Sequence, residues 1–138
     1  MQKIKKSNFN ALVSQSKSLK NRHKDNIVQV KCSGIDIIAN KGVYPASGDS
    51  ELMIEVVNIS PSDNFLEIGC GTGVISIALA KKANSGIGAD INQLAVENSK
   101  LNAKNHNISN VKFIKSNVFK SINQKFDVIV CNPPYTKH

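Results

Sequence analysis

No apolar run in this sequence approaches the ~18 residues that a membrane span needs. The longest blocks, Val74–Ala80 and Val128–Cys131, are short. The N-terminus, Met1-Gln-Lys-Ile-Lys-Lys, carries charge but lacks an apolar segment behind it, so it does not read as a secretory signal. Cysteine is scarce: Cys32, Cys70 and Cys131 are odd in number, widely spaced and without a CxxC pair. Neither a disulfide framework nor a zinc site is indicated, and reduced thiols in a cytoplasmic protein are expected. His23, His106 and His138 have no ligand spacing to one another, so they read as surface residues and no metal is expected. What remains is an ordinary soluble composition, 41% hydrophobic and 20% charged over 138 residues. That excludes wholesale disorder and a collagenous or low-complexity chain, and leaves one small domain with one core.

Acidic residues are nearly missing from the head of the chain. Residues 1–31 hold Lys3, Lys5, Lys6, Lys17, Lys20, Arg22, Lys24 and Lys31 against Asp25 alone, so this segment carries most of the formal net charge of +8. A near-neutral body with a cationic head fits an anionic partner such as RNA, DNA or a ribosome, or equally a solubilising tail.

Along the chain, Phe9, Leu12, Val13, Ser16 and Leu19 follow helical spacing and predict a basic helix over 7–24. Ile27–Cys32 and Ile35–Ala39 alternate around Ser33-Gly34, a hairpin signal. Residues 1–41 thus form a basic helix and hairpin, ahead of a core at 42–138. Gly42–Gly48 is a loop, and Asp49 or Ser50 caps a helix over Glu51–Asn58, broken by Ser60-Pro61. Then strand, turn and helix repeat. Strands are expected at Phe65–Ile68, Gly86–Ile91, Val111–Ile114 and Phe126–Cys131. Helices are expected at Val74–Lys82 and at Gln93–Asn105, the second packing through Leu94, Ala95 and Leu101. Phe126–Cys131 reads as a strand buried on both faces. The alternation argues for an α/β, Rossmann-like, doubly wound parallel sheet, its first four strands ordered 3-2-1-4.

The chemistry concentrates in two motifs. Glu67-Ile-Gly-Cys-Gly-Thr-Gly73 closes one strand and opens a helix, and its glycines allow a tight turn that a ligand can approach closely. Seventeen residues later, at the end of the next strand, Asp90 can accept both hydroxyls of a ribose. The spacing is GxGxG, not the GxGxxG that seats a pyrophosphate on a helix N-terminus. Glu67 would repel a phosphate and welcome a cationic amino group. A ligand with a ribose, a positive charge and no phosphate is S-adenosylmethionine. Cys70 lies inside the turn, where a small side chain is needed, and with no histidine partner in view it is not read as a nucleophile.

The second motif, Asn132-Pro-Pro-Tyr135, directly follows the fourth strand, at the sheet edge where open α/β sheets place ligands. Asn132 offers a carbonyl acceptor, Pro133 a backbone carbonyl and Tyr135 a flat ring. Two acceptors and a stacking face suit a planar NH2 group. Read alone, the tetrapeptide is more simply a proline-stiffened turn, and it is the glycine motif beside it that favours the acceptor reading. Tyr44, in the loop before the first core helix, faces the pocket or simply packs.

Together the motifs resemble the class I methyltransferases over roughly residues 42–136. Glu67, Gly69, Cys70, Gly71 and Gly73 lie in what resembles their first motif, Asp90 is similar to their ribose acid, and Asn132, Pro133 and Tyr135 resemble the signature of those that methylate planar nitrogens. Gly42-Val-Tyr-Pro and Asp49-Ser-Glu-Leu52 bring the resemblance closest to the HemK-like branch. That resemblance implies a release-factor glutamine as acceptor, while relatives with the same signature methylate bases in RNA or DNA. Asn117 stands where the family often has an acid that contacts the adenine amino group, and its carbonyl can serve there. The resemblance also implies three more strands after Tyr135, so self-association through an open sheet edge is expected. The rival reading is a non-catalytic or truncated cofactor-binding fragment that needs a partner to complete the fold.

Overall fold

The structure, a computed structural model, describes residues 27–133. The helix expected over 7–24 and the site residue Tyr135 lie outside the described residues. No helix among the described residues is long and apolar enough to cross a membrane.

Two strands, β1 (Val28–Cys32) and β2 (Ile35–Ala39), form the expected antiparallel hairpin, with Cys32 opposite Ile35. Ser33 and Gly34 take φ of 50° and 77°. Two left-handed residues match the right-handed strand twist, which is why a Ser-Gly pair can close so tight a loop. Helix α1 (Gly48–Val56) departs from expectation at both ends. It starts at Ser47, whose carbonyl receives the amides of Ser50 and Glu51, so neither Asp49 nor Ser50 caps it. Asp49 and Glu51 instead sit in its first turn, where acids complement the helix dipole. It stops at Val56 because Val57 turns extended, and Val57 and Ile59 pack against the core.

Four parallel strands follow: β3 (Asn64–Ile68), β4 (Ser85–Asp90), β5 (Val111–Lys115) and β6 (Val128–Cys131). Their order is β5-β4-β3-β6, the expected 3-2-1-4 arrangement of an α/β, Rossmann-like sheet. Helix α2 (Val74–Ala80) links β3 to β4, and α3 (Gln93–Asn105) links β4 to β5. The centre of the core is β3, where Phe65 and Leu66 are both wholly buried on opposite faces. Beside it β4 carries Gly86 and Gly88 because rings occupy that space. A Cβ on Gly86 would lie 2.2 Å from Phe65, and one on Gly88 would lie 2.6 Å from Phe113. Every residue of α2 is buried.

Two expectations about packing fail. β6 is not buried on both faces: Val130 is, but Ile129 is 54% exposed, because among the described residues β6 has a paired neighbour only in β3. And α3 does not pack through Leu94 and Leu101, which are 52% and 39% exposed. Ala95 is inside as expected, but so are Asn98, Ser99 and Asn102. This face meets backbone carbonyls and amides of β2 and of the glycine turn, which only polar side chains can satisfy.

Candidate active site

Parallel strands end on one edge of a sheet, and the turns after β3, β4 and β6 meet there around one cavity of about 580 Å³. The turn after β3 folds across β4, with the amides of Gly69 and Cys70 both donating to the Ala89 carbonyl, at 2.8 and 3.0 Å. Gly69, Gly71 and Gly73 have φ of 78°, 54° and 84°. This left-handed geometry favours glycine at each. Their second reason differs from residue to residue. A Cβ on Gly69 or Gly71 would meet nothing within 4 Å, and both residues line the cavity, so the missing side chains leave room for a ligand. A Cβ on Gly73 would lie 2.9 Å from that of Ser99. Gly73 therefore lets α2 start close against α3 and is not on the cavity wall.

Asp90 ends β4 with both oxygens engaged. Oδ2 accepts the Gly71 amide at 3.0 Å and Oδ1 the Asn92 amide at 2.9 Å. The acid thus stands on the cavity wall in fixed orientation, half-buried. Glu67 is 1% exposed, and its Oε2 accepts the amide and the hydroxyl of Ser76 on α2. Burial pushes its carboxyl up to about 8; the two Ser76 bonds oppose the rise and the charge of Asp90 adds to it. At neutral pH Glu67 therefore holds a proton unless a cation comes beside it. Cys70 is buried, its thiol pushed up by burial and then by Glu67, with Sγ 3.4 Å from the Ser99 hydroxyl. That makes it inert as a nucleophile.

Asn117, from the loop after β5, and Asn132 and Pro133, after β6, line the same cavity as the glycine turn and Asp90, and so does Tyr44. The structure thus gathers every expected site residue among those described, except Gly73, onto one wall system. Sequence reasoning missed Asn92, Ser116 and Val118. Asn92 caps α3 through the Leu94 amide and donates to the Gly42 carbonyl at 3.3 Å, tying the loop before α1 to the cavity floor. An Asn just before a helical run was the signal for it. Val118 holds φ of 52°, unusual for a β-branched residue, and buried Ser116 donates to its carbonyl at 2.7 Å. No sequence pattern marks that turn.

The lining includes the carboxyl groups of Asp49, Glu67 and Asp90 and, among the described residues, no Lys, Arg or His. Room at two glycines, a hydroxyl acceptor in Asp90 and an acidic apolar cavity fit a ribose-bearing cation such as S-adenosylmethionine. They do not fit a pyrophosphate.

The methyltransferase small domain family matches residues 34–138. A Methanocaldococcus jannaschii protein named as a protein N5-glutamine methyltransferase is 43% identical over 107 residues, covering 77% of this chain and 54% of its own length. The release factor glutamine methyltransferase of Agrobacterium fabrum is 36% identical over 115 residues, covering 75% of this chain and 40% of its own. Among solved structures, a T. thermophilus 16S rRNA N2 methyltransferase in complex with AdoMet and guanosine superposes with a TM-score of 0.69. It covers 80% of this chain and 33% of that one at 18% identity, a likeness of fold. The chain spans about half or less of the length of these proteins. With the matched region covering most of its residues, the chain belongs to the methyltransferase small domain family.

Proposed function

We propose that the cavity binds S-adenosylmethionine and that the chain carries the cofactor half-site and the acceptor motif of an N-directed methyltransferase. Its acceptor is the side-chain amide of a protein glutamine, of the release-factor kind. The observation that carries this reading is the meeting of the glycine turn, Asp90 and Asn132 on one cavity at the carboxyl ends of three parallel strands.

When bound, the cofactor supplies a methyl group on a positively charged sulfur. The chain's own residues supply position. Gly69 and Gly71 leave space against the backbone, Asp90 accepts ribose hydroxyls, and Glu67 sits where a nearby cation favours its ionised form. Asn132 and the Pro133 carbonyl accept the two hydrogens of an NH2 group, which fixes the nitrogen and stabilises the charge that develops on it. Orientation is the main contribution, and no metal or covalent enzyme intermediate is required.

The lining favours an amide over a nucleotide. Asp49 and Asp90, with no base among the described residues of the lining, repel phosphate, whereas a neutral glutamine meets no such cost. The names of the two curated relatives point the same way. Incubation with methyl-labelled cofactor, release factors and rRNA, read by mass spectrometry, tests this. Label on a release-factor glutamine is expected, and label confined to rRNA would reassign the acceptor. Asn132→Ala should keep cofactor affinity and lose nearly all transfer. Unchanged transfer would make the motif a structural turn.

A further inference from the structure

The inner face of α3 carries two amides and a hydroxyl, Asn98, Asn102 and Ser99, beside buried Ala95, Val96 and Ala103. Asn98, Ser99 and Asn102 are at most 1% exposed, and every one is hydrogen-bonded. Their partners belong to two separate walls. Toward the glycine turn, Asn102 Nδ2 donates to the Thr72 carbonyl at 2.9 Å, and Ser99 Oγ donates to the Gly71 carbonyl at 2.9 Å. Toward the hairpin, Asn102 accepts the Ile38 amide at 3.1 Å and donates to the Ile38 carbonyl at 2.8 Å. Asn98 accepts the Asn40 amide at 2.6 Å and donates to the same Ile38 carbonyl at 2.7 Å. The helix face thus completes the free edge of β2 as a neighbouring strand would.

The hairpin side leads straight into the cavity. The Asn40 carbonyl receives the Val43 amide at 3.0 Å, and Val43, 1% exposed, lines the cavity beside Tyr44 and Pro45. Asn102 is the residue that bonds to both walls with one side chain. A fully satisfied buried amide admits one arrangement of its partners, and removing it orphans several backbone groups at once. Apolar packing would hold the two walls together but would tolerate sliding between them.

We propose that Asn102, supported by Asn98 and Ser99, is a positioning residue that couples the glycine turn to the Gly42–Ser47 wall, so that the cofactor side and the opposite side of the cavity are set in one register. The role of the turn as the cofactor side rests on the function proposed above. The coupling between the walls does not.

Amide hydrogen exchange on the full chain tests it without a ligand. The amides of Gly71, Gly73 and Val43 make no bond to Asn102. In Asn102→Leu all three should exchange at least tenfold faster, while amides within β3 and β4 stay within about twofold of the parent. Acceleration at one wall only, or evenly through the sheet, would overturn the coupling. Should that variant not fold, Ser99→Ala serves, since it removes contacts to the glycine turn alone, the bond to the Gly71 carbonyl and the one shared with Cys70 Sγ. Val43, on the far wall, should still speed up together with Gly71, and a response at Gly71 alone would sink the idea. Titration with S-adenosylmethionine adds a separate arm: Asn102→Leu should bind at least fivefold more weakly than the parent. A parent that binds none refutes the proposed function, and the exchange pattern still decides the coupling.

Discussion

Asp90 Oδ2 accepts the amide of Gly71 at 3.0 Å, so the acid that ends β4 braces the turn that ends β3. One carboxylate therefore shapes the cradle and offers oxygens to what lies in it. Asp90→Ala should weaken S-adenosylmethionine by about 1.5–3 kcal/mol, the range for hydrogen bonds to a charged group. Asp90→Asn, which keeps one acceptor, should lose less. Titration calorimetry measures both, with NAD as a control that should give no heat because the turn is acidic and spaced GxGxG. An alanine variant of undiminished affinity, or NAD binding equally well, would remove the cofactor assignment.

Glu67 gives the fold a pH dependence whose sign is fixed. Its folded-state value, about 8, lies above its ordinary 4.5, so the folded chain keeps a proton that the unfolded chain has released across that window. Stability attributable to this group therefore falls as pH rises from about 4.5 to 8 and levels off above. Glu67→Gln keeps an acceptor for Ser76 and has no charge to bury. Its melting temperature should lack that slope and exceed the parent's at pH 9 by about 5 °C or more, given roughly 2–4 °C per kcal/mol for a domain approaching 150 residues. Parallel melting curves for the two proteins between pH 5 and 9 would show that Glu67 does not titrate in this window.

Two glycine substitutions should separate stability from binding. In Gly86→Ala the new Cβ would run into the wholly buried ring of Phe65, so overpacking should cost about 1–3 kcal/mol. Gly69→Ala meets no atom within 4 Å, but its φ of 78° makes the change cost roughly 1–2 kcal/mol and puts a methyl group on the cavity wall. Urea denaturation and cofactor titration on both variants are the measurement. Gly86→Ala should be the less stable of the two and keep more affinity at low temperature. The reverse ranking would contradict the geometry.

Strand order, the hairpin and the glycine turn were legible because each rests on local rules. Alternation of strand and helix sets a parallel sheet, two permissive residues set the hairpin loop, and Asp90 at a strand end falls beside the turn in any such sheet. What escaped was tertiary. The inner face of α3 could not be read from apolar periodicity, because its partners are carbonyls and amides brought from β2, some sixty residues earlier. Its exposed leucines and buried asparagines invert the usual assignment for the same reason. Gly73 looked equivalent to Gly69 and Gly71 in the sequence, and only the closeness of Ser99 distinguishes it. The Ser47 start of α1 was hidden because it relies on a backbone carbonyl and makes no side-chain cap.

The two outer strands of the described sheet are unlike. β5 carries exposed Lys112 and Lys115, and lysine on an edge resists pairing with another chain. β6 reads Val-Ile-Val-Cys, without a charge or a proline, and its Ile129 is 54% exposed. Among the described residues no strand pairs with its outer side. An apolar, uncharged edge presents backbone donors and acceptors that template association, so of the two described edges β6 is the one expected to associate. Sedimentation of the chain at micromolar concentration should show self-association that grows with concentration. Ile129→Lys should shift it toward monomer without changing cofactor affinity, because Ile129 is not on the cavity wall. Lys112→Ile, on the other edge, should increase association. If the parent sediments as a monomer at every concentration, or if Ile129→Lys associates as strongly as the parent, β6 is not the adhesive edge.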